Sequence, residues 1–309
     1  MEKTININDY ISRDKIKALL SELAVTAEAA DRVMRNIDTM DFTNIAPHFA
    51  GLFSRAAPKE PQQAQEAIEA LCSGEDGQPL DDGFRIMTAL LIAALRTREI
   101  YSIMGIDPDI YIHTMGFFNR VLRENKAVYG RLCFDRGQWY RRQIMPNLFR
   151  LGTLEFEMYI LEDGAQAGFP TEVNVPVLSV HIPGDAVLVR EELDKSYQMA
   201  HAFFPKYFPD FKYRRIFCST WLFSPELKSL LPPESKILVF QSDYEITKSF
   251  ESDSFIFWVY MTKKKIEDYN ELSEDTTLRR SIKKHLLDNG KINSASGYLK
   301  SDRLVFLQR

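Results

Sequence analysis

The stretch Val177-Leu178-Ser179-Val180-His181-Ile182-Pro183-Gly184 reads as a strand with an abrupt end. Over residues 175–182 both faces are apolar apart from Ser179 and His181, the pattern of a central strand covered on both sides. Pro183 has no N–H to give a ladder, so the strand stops or leaves its neighbour there. A helix is expected next, over 192–207, with Leu193, Tyr197, Ala200 and Phe204 turned inward. A second strand follows over 215–223, Arg215-Ile216-Phe217-Cys218-Ser219-Thr220-Trp221-Leu222-Phe223.

Working outward, Leu154, Phe156, Met158 and Ile160 alternate with Glu155, Glu157 and Tyr159, a strand with one apolar face. Residues 162–171 carry Gly164, Gly168 and Pro170 and read as a loop. After the second strand, Ser224-Pro225-Glu226 has the order of a helix start: a cap, a proline, then an acid near the positive end of the dipole. Further strands are expected at 236–240 and 254–261, a helix over 275–289 stopped by Gly290, and a last strand near 303–307.

Upstream of Cys133 the pattern is helical. Ser12 precedes Ile16, Leu19, Leu20 and Leu23, and Thr26 precedes Ala30, Val33, Met34 and Ile37, both at helical spacing. Residues 41–61, with Pro47, Pro58 and Pro61, read as irregular. Ala64, Ala67, Ile68 and Leu71 mark a third helix. From Asp82 through Phe84, Met87, Leu91 and Leu95 to about Met104 runs a helix that is apolar nearly all round, as expected at a domain centre. Asp109 is expected to cap one more helix, through Phe117, Val121 and Leu122, with His113 packed beside Ile110 and Phe117. The expected class is therefore α+β: an all-helical domain over residues 1–135, then a mixed α/β sheet domain over 136–309.

The 309 residues are 45% hydrophobic and 27% charged with net charge −4, which sets aside non-specific nucleic-acid binding, since that needs concentrated positive charge. The apolar run 86–95 is about half of the ~20 residues that span a bilayer, so no membrane partner is expected. The first thirteen residues lack the apolar core of a signal peptide. The three cysteines are far apart, with neither a disulfide framework nor a zinc spacing, so no metal is expected. A cytoplasmic, reduced protein is the expectation. Oligomeric state is not legible.

The pieces Phe149-Arg150-Leu151-Gly152, Leu154-Glu155-Phe156-Glu157, the Val180-His181-Ile182-Pro183 strand end, the run from Ala200 to Asp210, and the segment 217–232 carry a resemblance over nearly the whole C-terminal half. Together they resemble the bacterial N-acyltransferases that join a helical N-terminal domain to a GNAT-like C-terminal domain. The resemblance implies direct transfer of an acyl group from acyl-CoA, with acetyl-CoA the first expectation, to an amine on a small-molecule or peptide acceptor. In the GNAT superfamily the acyl-CoA lies between two parallel strands that splay, and freed backbone N–H groups bind the pantetheine and polarise the thioester. Carried onto this chain, the implied cofactor contacts are Val180, Ile182, Gly184, Arg190, Trp221 and Ser224. One departure stands out. The superfamily's glycine-rich diphosphate turn is replaced by residues 184–192, which hold one glycine, three acids and Arg190, which reads equally as the phosphate partner and as a lone surface arginine.

His181 is the first candidate base, at the strand end and with a reference pKa near neutrality; the alternative is a core histidine bonded to a backbone carbonyl. Glu155 is the second candidate, with Glu157 equivalent to it; as alternating charges on a half-exposed strand, both also read as plain surface residues. The superfamily's tyrosine acid has no match in 224–231, which leaves Tyr244 or Tyr197. Cys218 beside Ser219 suggests a covalent acyl-enzyme only if a histidine pairs with it; mid-strand, it reads as a buried thiol. Trp221 reads as a core aromatic before it reads as a stacking platform. A different class of protein, a non-catalytic GNAT-like module holding a small ligand or a protein partner, is favoured by the missing glycine turn and tyrosine, whereas the Val180-His181-Ile182-Pro183 strand end followed by helix and strand favours the enzyme.

Overall fold

The structure, a computed structural model, describes residues 10–54 and 59–303. These form two compact units that divide between Phe149 and Arg150. No helix among the described residues is long and apolar enough to cross a membrane.

The first unit is helical: α1 (Arg13–Glu22), α2 (Ala27–Thr39), α3 (Ala46–Leu52), α4 (Glu60–Leu71), α5 (Phe84–Met104), α6 (Pro108–Met115), α7 (Phe117–Tyr129) and α8 (Gly137–Ile144). Ser12 and Thr26 cap α1 and α2 as their positions suggest, each side chain accepting from the amide three residues on. Residues 86–95 of α5 are all buried, so its all-round apolar sequence does mark the domain centre. Residues 41–61 are not irregular throughout. Pro47 and Pro61 stand in the first turns of α3 and α4, where a missing N–H costs nothing. Asp107, not Asp109, caps α6, and His113 is exposed rather than packed. On α2 the buried row is Ala29, Val33 and Asn36, because Asn36 turns inward to donate to Asp81 at 3.1 Å.

The second unit is built on a six-stranded sheet whose edge strand β1 (Leu148–Leu151) crosses the division; the others are β2 (Leu154–Asp163), β3 (Val173–His181), β4 (Arg215–Thr220), β5 (Tyr244–Phe250) and β6 (Ser294–Leu299), in the order 1-2-3-4-6-5. The β3–β4 pair is parallel; β2–β3, β4–β6 and β5–β6 are antiparallel. The parallel pair is joined by α9 (Arg190–Tyr207), as a crossover requires. Around the sheet lie α10 (Leu227–Leu230), α11 (Lys236–Ser242), α12 (Ser254–Tyr260) and α13 (Thr277–Leu287).

Two expected strands are corrected. Residues 236–240 and 254–261 form α11 and α12. Their β-branched and aromatic runs suit a strand locally, but burial falls on one helical side: Phe240 stacks on Phe223 at 5.5 Å, and Phe255 and Val259, four apart, enter a core with Leu227, Ile282 and Leu286. The strand expected at 303–307 lies outside the described residues except for Arg303, which is in a helical turn and pairs with Asp194 and Asp243. The missing strands are β5 and β6. β6, Ser-Ala-Ser-Gly-Tyr-Leu, has mostly small residues and lies between β4 and β5; a Cβ on Gly297 would stand 2.4 Å from the Glu245 carbonyl.

What sets the position of α9 is the tight turn between β1 and β2. Gly152 has φ +68°, a left-handed conformation that suits glycine. Beside it Ser196 of α9 accepts from the Thr153 and Leu154 amides at 2.8 and 3.3 Å. A Cβ on Gly152 would lie 2.5 Å from the Ser196 Oγ. Gly152→Ala is expected to cost about 2 kcal/mol, combining backbone strain with a displaced helix contact. Urea denaturation should show it, and a loss under about 0.5 kcal/mol would mean that this turn does not anchor α9.

Candidate active site

Pairing between β3 and β4 runs from Val177↔Arg215 to Val180↔Cys218 and stops. On the outer sides pairing continues: β3 holds β2 through Glu155↔His181, and β4 holds β6 through Thr220↔Ala295. Each strand therefore keeps one neighbour while the seam between them ends. Residues 182 and 183 leave β3, and the Ala186 amide donates to the Pro183 carbonyl at 2.9 Å to turn the chain toward α9. That loop is tied back to the β1–β2 turn by Arg150 donating to Asp185 at 2.6 Å and the Val187 amide donating to Thr153 Oγ1 at 2.6 Å.

Strand alternation sorts the side chains. Glu155, Glu157, Ser179, His181, Phe217 and Ser219 share one face by register; Phe156, Leu178, Val180, Ile216 and Cys218 share the other. The second face lies under α9, where Tyr197 meets Phe156 edge-on at 6.5 Å. On the first face, at the end of the seam, His181 Nε2 lies 2.8 Å from Glu157 Oε2. This is a diagonal cross-strand contact, since Glu157 stands opposite Ser179. The glutamates are not surface residues: Glu155 is 3% and Glu157 5% exposed. His181, with its side chain 21% exposed, is the wetter member of the dyad. A carboxylate accepting from Nε2–H selects the tautomer whose Nδ1 carries the lone pair, the state a general base needs. His181 is thus bonded to a carboxylate.

The other expected residues disperse. Val180 is buried on the α9 face, at the last rung of the ladder; Ile182 and Gly184 lie on the loop, half-buried and exposed. Arg190 is held by Asp243, with contacts of 2.6 and 2.8 Å, and its Nη2 donates to the Val239 carbonyl at 3.3 Å, so its guanidinium serves a structural ion pair. Burial pushes the Asp243 carboxyl up, against the opposing pull of Arg190 and Arg303. Trp221, half-buried, packs against the core around Leu227 and Phe255. Ser224 is fully buried; its Oγ donates to Glu226 and accepts from the Asn293 amide, which fastens the short α10 rather than opening a long helix.

Tyr197 and Tyr244 meet hydroxyl to hydroxyl at 3.2 Å on the α9 side, and burial holds both phenols well above the usual range. They are on the wrong face to serve His181. Cys218 is fully buried on that same face, and burial raises its thiol; parity alone keeps it from pairing with His181. Burial likewise pushes Cys72 up to about 11. Both thiols are expected to resist a disulfide reagent at pH 8 in the folded protein and to react at once in denaturant; fast native labelling of Cys218 would reopen a covalent route.

Comparison with known proteins gives the family. Residues 14–145 match the N-acyltransferase N-terminal domain and residues 148–299 the GNAT-like C-terminal domain. The chain belongs to this two-domain N-acyltransferase family. Among solved structures, it resembles a mutant acyltransferase in complex with octanoyl-CoA, at 18% identity and TM-score 0.74 over 93% of this chain and 88% of that one. It also resembles an acyltransferase in complex with decanoyl-CoA, at 19% identity and TM-score 0.72 over 93% and 87%. A third is an acyltransferase in complex with decanoyl-CoA and teicoplanin, at 20% identity and TM-score 0.70 over 92% and 86%. At such identities the likeness is one of fold. No curated protein matches the chain in sequence.

Glu157 as the partner of His181 is a pairing that sequence reasoning missed. For Glu157 a signal was present: two glutamates at period two on the strand preceding the His181 strand.

Proposed function

We propose that this chain is an acyl-CoA-dependent N-acyltransferase that seats the acyl-pantetheine arm where β3 and β4 part. The observation that carries this reading is the end of the ladder at Val180↔Cys218 with the His181–Glu157 dyad at its lip. Backbone groups beyond the last rung face one another across the opening and are suited to hydrogen-bond an amide-bearing arm and the thioester oxygen. His181 takes the proton of the attacking amine, and Glu157 orients the ring and stabilises the imidazolium that forms. The solved relatives carry eight- and ten-carbon acyl chains, so the donor proposed is a medium-chain acyl-CoA, in place of the acetyl-CoA first expected. A small-molecule amine is the proposed acceptor, in line with the relative that holds teicoplanin.

For the diphosphate, the N-terminus of α9 has no side-chain cap, so its first amides are directed at the loop. Glu191 and Glu192 in the first turn oppose an anion there. Arg190 can help only by leaving Asp243. Affinity is therefore expected to come from the arm and acyl chain more than from the phosphates.

Titration calorimetry with acetyl-, octanoyl- and decanoyl-CoA separates this reading from a non-catalytic module. Saturable binding that tightens with chain length is expected, by about 0.8 kcal/mol for each methylene buried. Binding of none of the three would sink the proposal. In turnover, His181→Ala should lower kcat by about 100-fold or more with little change in donor affinity, and Glu157→Gln by about tenfold. An unchanged kcat in His181→Ala would remove it as the base.

A further inference from the structure

Across the opening from His181 stands a hydroxyl that the reaction above does not use. Ser219 is the first β4 residue beyond the ladder, as His181 is on β3. Both are one position past the same rung, so their side chains lie on one face and flank the opening from opposite strands. Ser219 is exposed, although its neighbours Phe217 and Cys218 are buried. Behind it is Ser296 of β6, directly opposite in register and fully buried. The Ser296 Oγ lies 3.0 Å from the Ser219 Oγ and 3.2 Å from Gln166 Oε1. Thr247 Oγ1 donates to the Gln166 carbonyl at 2.6 Å and holds that residue in place.

Ser296 thus has one proton and two acceptors. When it donates to Gln166, Ser219 can turn its own proton back to Ser296. When it donates to Ser219, the Ser219 O–H is released to point into the opening, and the bond behind it strengthens the donor. We propose that Ser219 supplies the hydrogen bond that receives the departing sulfur of CoA, with Ser296 and Gln166 as the switch behind it. The assignment rests on the acyltransferase reading and deepens it. A thioester lying within reach of an amine served by His181 must occupy the space between the two lips, and its sulfur is the atom next to the attacked carbon.

The step balances without a further reagent. The amine nitrogen forms the new bond to the carbonyl carbon and passes its proton to His181. The C–S bond breaks with the electron pair going to sulfur. The thiolate leaves hydrogen-bonded to the Ser219 O–H. The role that a tyrosine acid fills elsewhere in the superfamily is met here by stabilising the thiolate rather than by protonating it. Tyr197 and Tyr244 cannot take that role from the opposite face.

A plain cross-strand tie between two serines would show the same 3.0 Å contact, so the test must read the sulfur. The full chain is mixed with CoA that carries no acyl group, and ultraviolet absorbance of the thiolate is followed from acid to alkaline pH. A donor at the sulfur favours the charged form, so wild-type protein should bind thiolate about tenfold more tightly than thiol. Ser219→Ala should erase that preference while changing the affinity for the thiol form by less than about twofold. Ser296→Ala should weaken the preference in the same direction without abolishing it. The same thiolate titration in Ser219→Ala and wild type, or no preference in wild type, overturns the assignment. Absence of any CoA or acyl-CoA binding is a different outcome: it removes the acyltransferase reading, and this one with it.

Discussion

Two parallel strands that pair over four registered positions and then part determine what this sheet can do. A buried backbone group needs a partner, so an interrupted ladder inside a sheet is costly unless water or a ligand completes it. Here the interruption is built in. Pro183 has no N–H to extend the pairing of β3, while β2 and β6 keep hold of the outer edges of the two strands. The seam ends between two strands that each keep an outer neighbour past its last rung.

The helix that joins those strands holds the frame. Its first turn is fastened through Arg190 to Asp243, just before β5, and its next turn through Ser196 to the β1–β2 hairpin. The anchors lie at opposite ends of the strand order, so α9 spans the sheet beneath the seam. Arg190 thereby acquires a structural duty that conflicts with phosphate binding. A buried carboxylate with an ion-pair partner is expensive to abandon.

Strand parity divides the chemistry as firmly as distance does. His181, Glu157, Glu155 and Ser219 fall on one face; Cys218, Tyr197 and Tyr244 meet on the other. A single-residue shift in the β2–β3 register would exchange the faces. The long β2–β3 ladder, eight registered positions from Glu155↔His181 to Asp163↔Val173, guards against that slip. Two nearly buried glutamates at the mouth of the site also show that polar alternation on a strand does not locate water; it locates a face, and something else decides whether that face is wet.

Local sequence settled much of this protein. Caps at Ser12 and Thr26, the apolar helix from Phe84, the strand ending at Pro183, the helix after it and the strand from Arg215 were all legible, because each is fixed by residues close in the chain. The histidine at the strand end was legible for the same reason. Long-range contacts decided the rest. Residues 236–240 and 254–260 have strand-like composition, and only packing against Phe223 and Leu227 makes them helices. β6 is a strand of small residues whose identity comes from the neighbours on each side. The pairing of His181 with Glu157, and of Ser219 with Ser296, arises from register between strands distant in sequence, and register is a property of the assembled sheet that no local window contains.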